Sequence, residues 1–286
     1  MRLRLRYALS ILSVFLIAAS LLIRAEGARA EGVTIRITGS TTVLPVAARA
    51  AEDFMASHPE LRITVNPGGS GLGVKSIGRG LADIGMVSRE ITAREKAHFK
   101  DTDFNVLIFA RDAVACVVSS EVYNGGVKGL TKKEIRGIYS GLINNWKEVG
   151  GPDRPIFVID KEAHRGTRHV FMEYVFGEKT PIAQGADLVS GANNEEQTKV
   201  SLSDSAIGML SIAWINKDVR GVAIEEEGHA VEPTQENIIN GSYPIARDLT
   251  FITNGPPKGE VKNFLDYILG PEGRKIIEAS GYVPVK

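Results

Sequence analysis

Four short turns rich in hydroxyl groups and glycine contain the residues of this chain best suited to binding a ligand. They read Thr38-Gly39-Ser40-Thr41-Thr42, Gly68-Gly69-Ser70-Gly71, Val87-Ser88-Arg89 and Arg165-Gly166-Thr167. Each lies where an apolar, strand-like segment is followed by a helix-like segment. A helix N-terminus presents unpaired backbone N–H groups and the positive end of the helix dipole, and both favour an anion. The four turns together therefore predict a cage for a small oxyanion such as phosphate.

Each turn taken alone has a simpler interpretation, because Ser, Thr and Gly are also ordinary helix caps. Nucleotide binding is not favoured by the second turn. Its glycines do not complete the G-x-G-x-x-G motif, and Val74 separates Gly73 from Lys75, where a P-loop requires lysine directly after glycine. The case for a ligand site therefore depends on the turns coming together.

The residues that could catalyse a reaction are scattered along the chain. The five histidines are His58, His98, His164, His169 and His229. They form no H-E-x-x-H motif, and the chain contains no G-x-S-x-G nucleophile motif. We interpret His164 and His169, which flank the fourth turn, as surface or packing residues, and the acidic pair Glu195-Glu196 as part of a solvated face. The sequence predicts a protein that is not an enzyme and uses no metal or cofactor.

The first thirty residues have the pattern of a secretory signal peptide. Three arginines precede an uncharged apolar run over residues 7–23, and Ala28-Arg29-Ala30 supplies small residues for cleavage. The run is 17 residues long, shorter than the roughly 20 that a membrane-spanning helix needs. No cysteine directly follows it to accept a lipid. We expect cleavage after Ala30 and a periplasmic protein without a lipid anchor, the alternative being an uncleaved membrane anchor.

The composition of the remaining chain narrows the class of partner. Without residues 1–30 it has 29 basic and 33 acidic side chains, a formal charge of −4. Nucleic acid is not expected as a partner, because binding to its phosphate backbone requires a basic excess. Cys116 is the single cysteine and lies in the apolar run 113–118, so we expect it in a core without a disulfide.

Strand-like and helix-like segments alternate along these roughly 256 residues, which are enough for two lobes. This alternation predicts an α/β fold in which each lobe is a mostly parallel sheet flanked by helices. Ligands of such folds lie at the carboxyl ends of the strands, where the turns are expected. The apolar runs 106–110 and 114–118 are predicted as two buried strands.

Further motifs accompany the turns in a fixed order. They are Pro45, Val74-Lys75, Ala82-Asp83-Ile84-Gly85, residues 158–167, Ala206-Ile207-Gly208, Gly241-Ser242-Tyr243-Pro244, Gly270-Pro271-Glu272-Gly273 and Gly281-Tyr282-Val283-Pro284. This ordered set covers nearly all of the mature chain and resembles the periplasmic phosphate-binding proteins of ABC transporters. The resemblance implies a two-lobed type II periplasmic binding protein fold that closes on its ligand like a clamp.

The resemblance also implies a set of ligand-binding residues. These are Ser40, Thr41, Thr42, Ser70, Ser88, Arg89, Lys161, Arg165, Gly166 and Thr167. Lys161 stands where the family has an arginine, and Arg165 where it has a serine, so Arg89, Lys161 and Arg165 remain alternatives for the charge partner of the ligand. Ser88 stands where the best-known members have an aspartate that accepts a hydrogen bond from protonated phosphate. Because serine can donate as well as accept, the choice between phosphate and sulfate stays open.

A clamp needs donors from both lobes, and three turns lie early in the chain while the fourth lies in the middle. We therefore expect crossings near residues 111–114 and 212–214, with residues 31–112 and 213–286 in lobe 1 and residues 113–212 in lobe 2. The resemblance implies a monomeric extracytoplasmic protein that captures phosphate and delivers it to the membrane subunits of an ABC permease. The alternative is a phosphate sensor, scavenger or adhesin without a transport role.

Overall fold

The computed structural model describes residues 33–226 and 228–285. The predicted signal peptide, residues 1–30, lies outside these residues. Within them, no helix combines the length and the hydropathy that spanning a membrane would require.

Thirteen strands and ten α-helices occur in the described ranges. The strands are β1 (Thr34–Gly39), β2 (Arg62–Pro67), β3 (Ile84–Val87), β4 (Phe104–Ser119), β5 (Gly129–Thr131), β6 (Phe157–Lys161), β7 (Leu188–Ser190), β8 (Ala206–Ser211), β9 (Val219–Gly221), β10 (Ala223–Glu226), β11 (His229–Val231), β12 (Ala246–Asn254) and β13 (Val283–Pro284). The helices are α1 (Leu44–Ser57), α2 (Ser70–Gly78), α3 (Ala93–His98), α4 (Ser120–Asn124), α5 (Lys132–Tyr139), α6 (Gly166–Phe176), α7 (Asn193–Ser201), α8 (Gln235–Ile239), α9 (Gly259–Leu269) and α10 (Pro271–Ala279).

The first sheet is built around three parallel strands. β1 lies between β2 and β3 and runs parallel to both. The next strand in the sheet is β12, which runs antiparallel to β3. It is followed by β4, which runs antiparallel to β12, and β13 pairs antiparallel with the opposite edge of β4. Helices α1, α9 and α10 cover one face, where Phe54 and Phe264 pack against Ile37. Helix α2 covers the other face with Val74 and Ile77.

The second sheet has the order β9, β4, β8, β6, β7, in which β8, β6 and β7 are parallel. Helices α5 and α6 bury Ile138 and Phe171 against it, and Val200 of α7 belongs to a separate apolar cluster with Ile159. Cys116 is fully buried in the core that contains Ile138 and Phe171, which confirms the prediction that it lies in a core. A small sheet of β5, β10 and β11 lies in the same half of the chain.

Strand β4 belongs to both sheets. Residues 104–113 pair with β12, except Phe109 at a register shift, whereas residues 114–118 pair with β8. The two strands predicted over 106–110 and 114–118 are therefore one continuous strand. The chain leaves the first sheet where β4 changes partner, between Ala113 and Val114.

The return to the first sheet comes later than residue 213, where the sequence analysis placed it. β9 still pairs with β4 in the second sheet, and β10 pairs with β5. Ile238, Tyr243 and Ile245 lie in the same core as Phe171, because these apolar residues complete the covering of the second sheet. The chain re-enters the first sheet only at Ala246, where β12 begins. From here on, lobe 1 denotes residues 33–113 and 246–285, and lobe 2 denotes residues 114–245.

The two crossing strands also explain why the sheets are less parallel than expected. β4 carries the chain out of lobe 1 and β12 carries it back beside β4, so the two strands run in opposite directions. Among the described residues, parallel pairing is confined to β1, β2 and β3 in lobe 1 and, in lobe 2, to β6, β7 and β8 and to the β5–β10 pair.

Candidate oxyanion site

The segments that begin four helices meet at one small cavity between the lobes. Helices α1 and α2 come from lobe 1, and α6 and α7 come from lobe 2. The cavity is lined by Ser40, Thr41, Thr42, Gly69, Ser88, Lys161, Arg165, Gly166, Thr167, Gly191 and Asn193. Among these described lining residues there is no aspartate or glutamate. Because each helix N-terminus offers N–H groups and a positive dipole end, the arrangement favours an anion.

Three serine hydroxyl groups of lobe 1 form a hydrogen-bonded row beside the cavity. Ser40 Oγ donates to Ser88 Oγ at 2.9 Å, and Ser88 Oγ lies 3.2 Å from Ser70 Oγ. The backbone fixes both ends of the row, since the Thr42 N–H donates to Ser40 Oγ and the Ser88 N–H donates to Ser70 Oγ. The serines come together because β1, β2 and β3 are adjacent and parallel, so their carboxyl ends share one edge of the sheet.

Gly166, the first residue of α6, lies directly against this row from lobe 2. A Cβ atom at this position would be 2.4 Å from both the Ser70 and the Ser88 hydroxyl oxygens. A real Cβ does not approach other atoms so closely, so only glycine permits this contact between the lobes. Gly166 therefore controls how closely lobe 2 approaches the serines.

Four further contacts join the lobes around the cavity. Thr42 Oγ1 of lobe 1 accepts a hydrogen bond of 3.0 Å from Asn193 Nδ2 and lies 3.5 Å from Thr167 Oγ1. The Gly71 N–H of lobe 1 donates to the backbone carbonyl of His164 at 3.1 Å. The His164 ring also lies over this turn, with Nε2 3.1 Å from the Gly68 carbonyl oxygen. The cleft is thus closed by contacts from both sides.

Arg89, one of the three predicted charge partners, faces away from the cavity. Its guanidinium group forms a two-point ion pair with Glu95, at 2.9 and 2.7 Å. Glu95 also caps α3 by accepting from the Thr92 backbone N–H. Arg89 does not line the cavity, since its guanidinium is held by the carboxylate of the following helix.

Arg165 and Lys161, the other two, do line the cavity, and each is paired with a carboxylate. Arg165 donates twice to Glu162, at 2.8 and 2.6 Å. Lys161 forms a buried ion pair with Glu196, and burial lowers the pKa of Lys161 and raises the pKa of Glu196. The prediction of a solvated Glu195-Glu196 face is wrong for Glu196, because this carboxylate enters the core to meet Lys161 and accepts from the Met209 N–H.

Arg247 of β12 was not predicted as a site residue, although its guanidinium contacts hydroxyl groups from both lobes. Nη1 donates to Thr167 Oγ1 at 3.1 Å, and Nη2 donates to Thr42 Oγ1 at 3.2 Å. Asp112 of β4 accepts from Nε and Nη2 at 2.9 and 2.7 Å. One signal was present in the sequence, since Arg247 alternates in phase with the apolar Leu249 and Phe251 and therefore occupies a position expected to face inward.

Gly191 and Asn193 were also missed. They line the cavity where α7 begins, and the sequence offered the usual signal of a glycine and an asparagine before a helix. Of the ten predicted site residues, eight line the cavity, Ser70 contacts it through Ser88, and Arg89 is turned away.

Comparisons with known proteins show what the chain is similar to. The family model of the PBP superfamily domain matches residues 25–272. The phosphate-binding protein PstS of Bacillus subtilis (strain 168) is 31% identical over 262 residues, which cover 91% of this chain and 84% of that protein. The structure of a substrate-binding protein assigned to phosphate ABC transport in Clostridium perfringens, with bound phosphate, has a TM-score of 0.78 and 33% identity, covering 88% of this chain and all of that one.

An ABC-type phosphate transport receptor from Vibrio cholerae has a TM-score of 0.70 and 32% identity, covering 87% of this chain and 99% of that one. The family and the fold that the sequence motifs indicate are thereby confirmed. The chain belongs to the PBP superfamily and, within it, to the family of PstS phosphate-binding proteins.

Proposed function

We propose that this chain binds inorganic phosphate in the cavity between its lobes and delivers it to the membrane subunits of an ABC permease. The observation that carries the proposal is the meeting of four helix N-termini, two from each lobe, at a cavity lined by hydroxyl groups and cations. The names of the relatives support the choice of phosphate, since they are phosphate-binding and phosphate-transport proteins.

The proposed ligand groups are the hydroxyls of Ser40, Thr41, Thr42, Ser70, Ser88 and Thr167 together with the backbone at Gly166. Their role is binding without a chemical step. We further propose that the protein works as a monomer outside the cytoplasm after removal of residues 1–30, since both halves of the clamp come from one chain.

Calorimetric titration of ligand-stripped protein with phosphate tests the site. A hydrogen bond to a charged ligand is worth about 1.5–3 kcal/mol, so Ser70→Ala and Thr167→Val should each weaken phosphate binding roughly 10- to 150-fold. Thr250→Val is a matched control, because its buried hydroxyl donates to the Val87 carbonyl at 3.2 Å and does not line the cavity. Thr250→Val should bind phosphate like the parent.

Failure of the parent to bind phosphate would refute the proposed ligand. Parent-like binding by both Ser70→Ala and Thr167→Val would show that these hydroxyls join segments of the protein and do not bind the ligand. Transport is tested separately by phosphate uptake in cells that lack the gene. Uptake restored by the parent but not by Thr167→Val supports delivery to a permease, whereas uptake that does not depend on the gene favours a sensor, scavenger or adhesin.

A further inference from the structure

The two strands that cross between the lobes carry two neighbouring Arg–Asp pairs. In the β4–β12 ladder, Arg247 lies opposite Asp112 and Asp248 lies opposite Arg111. The Arg247–Asp112 side chains are 3% and 0% exposed, whereas the Arg111–Asp248 side chains are 59% and 44% exposed. Because successive side chains of a strand point to opposite faces, only the Arg247–Asp112 pair points toward the cavity.

The hydrogen bonds of Arg247 divide between an anchor and the site. A guanidinium group has five N–H donors in a fixed plane. Asp112 takes two of them along one edge, at 2.9 and 2.7 Å. The other edge donates to Thr42 Oγ1 and Ser88 O in lobe 1, at 3.2 and 3.3 Å, and to Thr167 Oγ1 in lobe 2, at 3.1 Å. Asp112 thus holds a cation that connects both lobes beside the cavity.

The other cations near the cavity do not make such contacts. Among the described residues, no hydrogen bond joins the side chain of Arg89, Lys161 or Arg165 to a hydroxyl group that lines the cavity. Arg89 and Arg165 donate to Glu95 and Glu162, and Lys161 pairs with Glu196. The guanidinium of Arg247 therefore stands alone among these four cations in reaching the lining hydroxyls.

These contacts also decide which way the hydroxyl hydrogens point. Thr42 Oγ1 accepts from both Arg247 and Asn193. A hydroxyl oxygen has two lone pairs, so its own hydrogen remains available to donate. Thr167 Oγ1 likewise accepts from Arg247. An anion in the cavity would meet these groups as donors.

We propose that Arg247 is the positioning residue of the oxyanion site, fixing the Thr42 and Thr167 hydroxyls as donors and joining the lobes around the ligand. The proposal rests on the proposed function of phosphate binding. It places this positioning role on the second crossing strand, outside the three cations that the sequence analysis considered. Since Arg247 connects the lobes only when they are closed, its loss should raise the dissociation rate of the ligand more than it lowers the association rate.

Two variants test this role. Arg247→Lys keeps a positive charge, but an ammonium group cannot hold Asp112 at two points and still reach hydroxyls of both lobes. The double variant Arg247→Gln/Asp112→Asn removes both charges, so that no buried carboxylate is left without a partner. Phosphate affinity is measured by calorimetry, dissociation by stopped-flow fluorescence, and folding by the Tm of the ligand-free protein.

We expect both variants to bind phosphate roughly 10- to 150-fold more weakly, mainly through faster dissociation. The control is Arg111→Gln/Asp248→Asn, which removes the neighbouring exposed pair from the same two strands and should bind like the parent. If the double variant does not fold, Arg247→Lys decides by itself.

Parent-like affinity and dissociation rate in folded Arg247→Lys or in the folded double variant would overturn the proposal, as would an equal loss in the Arg111–Asp248 control. A lower ligand-free Tm with unchanged phosphate affinity would make Arg247 a purely structural residue. All of these outcomes presuppose that the parent binds phosphate. A parent that does not bind phosphate would instead overturn the proposed function.

Discussion

Gly166→Ala tests whether the close approach of the lobes creates the site. The added Cβ would lie 2.4 Å from the hydroxyl oxygens of Ser70 and Ser88, whereas ordinary van der Waals contact begins at 3.4 Å. Gly166 is the first residue of α6, and alanine is the best helix former, so the helix itself should tolerate the change. Relief of this contact requires the two hydroxyl groups to rotate away or the lobes to separate, and a separation of about 1.0 Å would restore ordinary contact.

A separation of about 1 Å should break the hydrogen bonds that join the lobes. The Asn193–Thr42 and Arg247–Thr167 distances, 3.0 and 3.1 Å, would exceed the roughly 3.6 Å at which a hydrogen bond is lost. A ligand held from both sides would lose one or more bonds worth about 1.5–3 kcal/mol each. We expect the phosphate Kd to rise at least roughly 10- to 150-fold.

Calorimetry on Gly166→Ala, Gly71→Ala and the parent checks this expectation. Gly71→Ala crowds the same interface more mildly, since its Cβ would lie 3.1 Å from His164 Cβ and 3.2 Å from the His164 carbonyl oxygen. Its loss of affinity should be smaller. If Gly166→Ala binds phosphate as tightly as the parent, the distance between Gly166 and the serines does not control closure, and the reasoning is refuted.

Three further predictions concern selectivity, pH and the buried ion pair. Ser88→Asp places a carboxylate at the cavity that can accept from protonated phosphate but not from sulfate, so competition binding near pH 7 should show a phosphate-to-sulfate affinity ratio raised about 10-fold or more. An unchanged ratio would mean that residue 88 does not face the ligand. Burial lowers the pKa of His169 to about 4 from 6.5, so the unfolded state takes up the proton first as the pH falls. The contribution of His169 to the free energy of unfolding is therefore fully present above pH 6.5 and should fall by about 2 kcal/mol by pH 5. Urea unfolding should show this fall in the parent and in the control His98→Gln, which changes an exposed histidine. His169→Gln should not show it. Lys161→Met leaves Glu196 buried without its cation and should cost about 3–5 kcal/mol of unfolding free energy, most of which Lys161→Met/Glu196→Leu should recover; equal Tm values for the single and double variants would contradict this.

The sequence by itself determined the turns and the family. Ser40, Ser70 and Ser88 each follow a short apolar strand, and Gly166 and Thr167 stand where a helix begins. These signals are local, because capping residues act within one turn of the chain and apolar runs mark a strand without reference to its neighbours. Once neighbouring parallel strands are assumed, their carboxyl ends must share an edge, so the meeting of the turns was also predictable.

The lobe boundary and the ion pairs were decided only by the tertiary structure. The segment between β8 and β12, residues 212–245, packs with lobe 2 because its apolar side chains complete that core. Nothing within the segment specifies which core it joins. Strand β4 spans both sheets because it changes partner at Ala113 and Val114. The partners of a strand are set by the rest of the fold. The sequence of β4 therefore shows two apolar runs but does not show that they form one continuous strand.

The choice among cations depends on contacts between residues far apart in the chain. Arg247 meets the Thr42 hydroxyl across 205 positions of sequence and meets Asp112 across 135. Arg165 lies in the fourth turn and Lys161 at the end of β6 just before it, yet their charges are compensated by Glu162 and Glu196. Spacing along the chain shows that a cation is near the site. The carboxylate that pairs with this cation is fixed only when distant strands and helices pack together, because an ion pair forms wherever burial brings opposite charges into contact.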